Sequence, residues 1–179
     1  MQPHALLVFS DGNSTDRNQI LLGLTLHERF RLTAKKAGLT DFYWPDSQQI
    51  FPHLPESFIA VSASVLPSVS LLKKMSQIDP EPESIHTAET SAPVFVVRTQ
   101  HPGLPAQMFR DALPAFSYSK LKPYIIPVSA SDYSPLSDGK LRSAEQWLLT
   151  GLIKENEGFM SRHVERKISL AVTRRVAAT

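Results

Sequence analysis

Five basic residues, Arg162, Arg166, Lys167, Arg174 and Arg175, surround an apolar stripe formed by Ile168, Val172 and Val176 at i, i+4 and i+8. A helix with this pattern has its apolar side at the headgroup boundary of a membrane and its cations toward anionic lipid, so residues 155–179 are expected to form a basic amphipathic helix at a membrane surface. A second kind of chemistry concerns phosphate. In open α/β sheets, ligands bind beyond the carboxyl ends of strands, which directs attention to residues 10–17, to the region after Trp44 and to residues 99–103. The first of these reads Ser10-Asp11-Gly12-Asn13-Ser14-Thr15-Asp16-Arg17 and follows an apolar run. Gly12 allows close backbone approach there, and Arg17 could meet a phosphate.

Other chemistries are excluded or unsupported. The chain has no cysteine, which removes disulfides, thiolate metal sites and a thiol nucleophile. His4, His27, His53, His86, His101 and His163 show no metal-ligand spacing, and no serine lies in a G-x-S-x-G elbow. Asp138-Gly139-Lys140-Leu141-Arg142 lacks both the Ala-Arg pair and the following aspartates of a D-G-x-x-A-R metal motif, and reads as a turn and helix cap. The net charge of +2 is too small for a general polyanion binder, so no nucleic-acid partner is expected.

The elements that would position these residues alternate along the chain. Ala5-Leu6-Leu7-Val8-Phe9 and Val94-Val96-Val97 with Phe95 are continuous apolar runs, suited to central parallel strands buried on both faces. A helix is predicted over residues 24–37 with Gly38 as its stop, then a strand at Phe42-Tyr43-Trp44. Residues 58–61 read as a strand, with Ser64 capping a helix over 67–75. Residues 78–92 carry Pro80, Pro82 and three glutamates without periodicity, the pattern of an acidic surface loop. A helix is predicted over 106–112, and residues 124–128 form a last strand, placed at an edge by Pro127. A helix capped at Ser137 or Asp138 runs to 154 with Leu141, Ala144, Trp147, Leu148 and Leu152 as its core stripe. The expected fold is a three-layer α/β/α domain over residues 1–154, Rossmann-like, with a mainly parallel sheet of about five or six strands. No apolar run reaches the roughly 18 residues of a membrane span, and no signal peptide opens the chain, so this piece is expected to be soluble.

Two segments resemble a known family. Glu157, Gly158, Phe159, Ser161, Arg162, Arg166, Ile168 and Ser169 match the D/E-G-F-x-S-R-x-x-x-R-x-I-S motif. That motif precedes the first transmembrane helix of CDP-alcohol phosphatidyltransferases with an N-terminal nucleotidyltransferase-like domain, among them the inositol-phosphate cytidylyltransferase/di-inositol-phosphate-phosphate synthase fusions. Leu22-Gly23-Leu24-Thr25-Leu26-His27-Glu28-Arg29, followed by Ala34, Ala37 and Gly38, is similar to the G-x-P-L-x-E-R…A-x-x-A-G segment of sugar-nucleotide-type nucleotidyltransferases. The resemblance covers residues 5–44 and 142–176.

The resemblance implies a nucleotidyltransferase-like domain on the cytoplasmic face of a membrane, leading into a membrane domain that carries out phospholipid or polar-lipid synthesis. Its implied partners are the membrane domain of the same polypeptide, an anionic lipid surface and a second copy associating through the membrane domain. Active relatives carry a glycine-rich G-x-G-T-R-like loop after the first strand and an acidic metal ligand after the central strand. Here the loop keeps one glycine and places Asp11 and Asp16 where a triphosphate would sit, while Arg98 stands after Val97 in place of a carboxylate. The domain is therefore expected to be catalytically degenerate, with no metal or cofactor of its own, and the sequence identifies no catalytic residue. An active CTP-dependent cytidylyltransferase is the alternative, with Mg²⁺ and CTP held near Asp11, Gly12, Arg17 and Arg98. A free-standing soluble ligand-binding protein is the third reading.

Overall fold

The computed structural model describes residues 1–9, 16–44, 55–88, 94–100, 122–129, 131–136 and 141–156. The chain divides into two compact units, Met1–Ala144 and Glu145–Thr179. In the first, β1 (Ala5–Phe9) is followed by β2 (Ile20–Leu21), β3 (Leu24–Thr25), α1 (Leu26–Lys36) and β4 (Asp41–Tyr43). Then come β5 (Ser57–Ser62), β6 (Val65–Pro67), α2 (Val69–Ser76), β7 (Ser84–Ala88), β8 (Val94–Arg98), β9 (Lys122–Ile126) and β10 (Tyr133–Pro135). Helix α3 (Leu141–Asn156) completes the described elements.

Among the described residues the main sheet has six strands, in the order β4-β1-β5-β8-β7-β9. The pairs β4/β1, β1/β5 and β7/β9 are parallel, whereas β8 opposes both of its neighbours. This is the α/β, Rossmann-like arrangement, a mostly parallel sheet flanked by helices. β1 and β5 are buried along their whole length, which is why they read as unbroken apolar runs. One face of the sheet packs Ala5, Leu7, Phe9, Phe58, Ala60, Ile85, Phe95 and Val97 together, with Tyr43 against them.

Two expectations need correction here. Residues 84–88, inside the stretch read as an acidic loop, form β7 in the sheet interior, with Ser84 and Ile85 fully buried. β8 lies inside the sheet as expected but runs antiparallel. The connection over residues 89–93 is too short for a parallel crossover, which needs about a dozen residues or more, so the chain must turn back on itself. The expected edge strand is β9, shifted to Lys122–Ile126. Lys122 N–H donates to Glu83 O at 3.0 Å, so the next residue, Pro123, has its ring nitrogen on the outer side, where no ladder bond is required.

Helix α1 begins and ends on identifiable signals. Thr25 is its N-cap, with the Thr25 hydroxyl accepting from Glu28 N–H at 3.2 Å and the Glu28 carboxylate accepting from Thr25 N–H at 2.8 Å. Hydrogen bonds from the Thr25 backbone and then its hydroxyl hold Glu28 below the usual carboxylate range. At the other end Gly38 takes φ +87°, Gly38 N–H reaches Lys35 O at 3.1 Å and Leu39 N–H reaches Ala34 O at 3.0 Å, the Schellman pattern. Thr25→Ala is expected to cost about 1 kcal/mol, measured by urea unfolding. A loss below about 0.3 kcal/mol would show that this cap does not hold the helix start.

The predicted helix over 67–75 starts later than expected. Ser68, not Ser64, is the cap of α2, and its hydroxyl accepts from Leu71 N–H at 3.0 Å. Residues 65–67 pair antiparallel with β10 instead. In α3, Ala144 is fully buried, but Leu141, Trp147 and Leu148 are only half-buried, so the stripe read as core is partly at the surface. The helix predicted over 106–112 lies outside the described residues. No helix among the described residues is long and apolar enough to cross a membrane.

Candidate functional site at the carboxyl ends of β1 and β5

The chain leaves β1 toward β4 on one side and leaves β5 toward β7 on the other, so the crevice between the carboxyl ends of β1 and β5 is where such a sheet binds ligands. Phe9 and Ser62 are in register at this edge, and Ala63 N–H donates to Phe9 O at 2.7 Å. The Ser62 and Ser64 hydroxyls lie 2.7 Å apart, and Ser64 N–H donates to the Ser62 hydroxyl at 3.0 Å. The β6/β10 ribbon stands beside them, tied on by Leu136 N–H to Ser64 O at 2.7 Å and Ser68 N–H to Asp132 O at 2.8 Å. At the end of β5 the side chains are thus hydroxyls, not carboxylates. Among the described residues no group of three or more His, Asp or Glu side chains could hold a metal ion.

The amino terminus of α1 also faces this edge. A helix leaves its first four N–H groups without partners inside the helix, and in dinucleotide-binding folds these groups meet phosphate. In this chain the partners are already present. Thr25 N–H is taken by Glu28, Leu26 N–H by Gln19 O at 2.9 Å, His27 N–H by Arg17 O at 3.0 Å and Glu28 N–H by Thr25. The segment supplying two of these carbonyls is a turn in which Gln19 N–H donates to Asp16 O at 2.9 Å and Asn18 N–H donates to the Asp16 carboxylate at 2.8 Å. β2 and β3 form a tight hairpin next to it, with Leu22 at φ 49° and Gly23 at φ 78°. The Arg29 guanidinium donates to Leu21 O and Leu22 O and so fixes the hairpin to the helix. The Leu22–Arg29 stretch is therefore a hairpin, a cap and a clamp.

The sequence-derived site residues separate. Arg17 is half-buried at the carboxyl edge, with its carbonyl capping α1. Arg98 is at the opposite edge of the sheet, in register with Ser57, because β8 runs antiparallel. Its Nε donates to Glu56 at 3.0 Å and its guanidinium to Pro80 O at 2.9 Å. Only a parallel β8 would bring Arg98 to the carboxyl ends of β1 and β5, so Arg98 does not stand at the crevice. Asp11, Gly12, Arg162, Arg166, Lys167, Arg174 and Arg175 lie outside the described residues.

As site residues, Ser62, Ser64 and Asp132 escape the sequence reasoning, which takes Ser64 only as a helix cap. The first two were detectable as the polar residues that end the apolar run of β5. Asp132 sits in a turn-rich piece with no local signal, yet it is buried and accepts from Ser129 N–H at 3.0 Å and from Lys74 at 3.4 Å. Away from the crevice, an open depression of about 380 Å³ follows the flank of edge strand β4, lined by His27, Arg31, Thr40, Asp41, Phe42 and Tyr43. The His27 ring packs edge-on to Phe42 at 5.3 Å and stacks on Trp44 at 6.1 Å. Burial raises the Tyr43 phenol above its usual range, and the neighbouring Asp41 charge adds to this.

No protein-family model matches this chain, and no curated protein matches it.

Proposed function

We propose that this chain is the cytosolic nucleotidyltransferase-like domain of a membrane CDP-alcohol phosphotransferase, a domain that has lost nucleotide chemistry and serves as a docking or regulatory module. The observation that carries the loss of chemistry is the closure of α1. Each N–H at its amino terminus is engaged by Gln19, Arg17 or the Thr25/Glu28 box, so a phosphate at this position would have to displace a bond already made. The hydroxyls of Ser62 and Ser64 at the end of β5 add to this, since magnesium bound with a nucleotide is held by carboxylate oxygens. The α/β fold is the one the resemblance implies, and the link to a membrane enzyme rests on the motif over residues 157–169. In this reading, Arg162, Arg166, Lys167, Arg174 and Arg175 meet anionic lipid at the cytosolic interface, and the transferase chemistry belongs to a membrane domain.

Calorimetric titration of the chain with CTP and Mg²⁺ is expected to give no saturable heat into the millimolar range. Micromolar affinity, or CMP transfer to a phosphorylated alcohol, would overturn the degenerate reading. The family assignment is tested separately by the reading frame after Thr179, which is expected to encode transmembrane helices with a D-G-x-x-A-R motif.

A further inference from the structure

Among the described residues, edge strand β9 pairs with β7 alone, and one side-chain cluster reinforces the joint. His86 of β7 and Tyr124 of β9 are in register, with rings stacked at 4.7 Å between centroids and 15° between planes. The Tyr124 hydroxyl and Lys122 both meet the Glu81 carboxylate, the lysine at 3.4 Å. The Thr87 hydroxyl donates to Tyr124 O at 3.3 Å. The His86 Nε2 atom is buried and has no hydrogen-bond partner among the described residues.

That last feature makes the joint depend on protonation. A neutral imidazole can leave one ring nitrogen as a bare acceptor at small cost, but an imidazolium carries N–H on both nitrogens. Protonated His86 would bury a charged donor with nothing to receive it, and the ring would have to leave the stack to reach water. We infer that the His86–Tyr124 stack is an acid-released latch on strand β9.

The surroundings support this direction. Burial is the largest influence on His86 and pushes it below its usual range, while the Glu81 charge offsets this only in part. The other groups facing the ring from β9 are Lys122 and the Tyr124 phenol, and β8 contributes Val96, in register with His86. Glu83 is directed elsewhere, accepting from Thr99 and from Gln100 N–H. With the folded-state value lowered, neutral His86 contributes its full stabilisation above the ordinary histidine range, and this is lost as pH falls through that range toward the folded value. Beyond β9 the chain continues to Asp132 and β10, which pairs with β6 beside Ser64, so release of β9 reaches the crevice edge.

The test is amide hydrogen exchange of the full chain by NMR at pH 7.5 and pH 5.5, corrected for intrinsic rates. Protection of the Tyr124 and Ile126 amides is expected to fall more than about threefold at the lower pH relative to Leu7. His86→Phe keeps a stacked ring without a titrating nitrogen and is expected to abolish this fall. An equal fall in His86→Phe, or no fall in the natural chain, would overturn the latch. Should His86→Phe not fold, the NMR titration of His86 in the natural chain decides: a midpoint below that of free histidine supports the latch, and a midpoint at or above it refutes it.

Discussion

Phe58→Ala is expected to remove about 3–5 kcal/mol of stability. Phe58 has 0% exposure and lies on β5, between β1 and β8 in the sheet interior. Its ring packs on the face built by Leu7, Phe9, Ala60, Ile85, Phe95 and Val97, where Phe9 and Phe95 already meet at 6.2 Å between centroids. The truncated site could shrink only by moving strands, and the hydrogen-bonded ladders on both sides of β5 resist that movement. Most of the vacated volume would therefore persist as a cavity. For a domain of this size each kcal/mol shifts the midpoint by about 2–4 °C, so thermal unfolding should fall by roughly 10 °C. A decrease of under about 3 °C would mean that Phe58 is not part of a close-packed core.

Asp132→Ala is expected to cost about 2 kcal/mol at neutral pH. The carboxylate is 8% exposed, and its loss would leave Ser129 N–H without its acceptor inside the turn that ties β10 to β6. Lys74 is 58% exposed, so its share of the interaction is largely screened and adds little. Burial alone would raise the Asp132 carboxyl, but hydrogen bonds from Ser129 and the Lys74 ammonium outweigh it and hold the group below its ordinary value of 3.8. A depressed acid stabilises the fold above its unfolded value and loses that contribution as pH falls through the folded one. Urea unfolding at neutral pH should thus separate the natural chain from Asp132→Ala, and the gap should close progressively below 3.8. A gap independent of pH down to the acid limit would assign the cost to packing instead of charge.

The parts of the fold that the sequence made legible are those whose signals are local. β1 and β5 are apolar runs buried on both faces, and α1 carries its own stop in Gly38. β7 was illegible because the prolines and glutamates around it are loop signals, and what makes residues 84–88 a strand is burial between β8 and β9. Strand direction was equally hidden, since an apolar run such as Val94–Arg98 looks the same in either sense. The length of the preceding connection was the available clue, usable only once β7 is recognised. Arg98 was misplaced for this reason, and Asp132 was overlooked because its partners, Lys74 and the end of β6, are distant in sequence. The closure of α1 depends likewise on Arg17 and Gln19 carbonyls, which side-chain identity does not reveal.

The reversed strand β8 also bears on how the chain reaches this structure. β7 and β8 are joined through residues 89–93, so their antiparallel pair closes a far shorter loop than β1 with β5 or β7 with β9. Loop-closure entropy favours the shortest connections first. The β7/β8 pair is thus a local seed lodged inside an otherwise long-range sheet. It offers one edge to β5 and the other to β9, so the two parts of the sheet can add to it separately and from opposite sides.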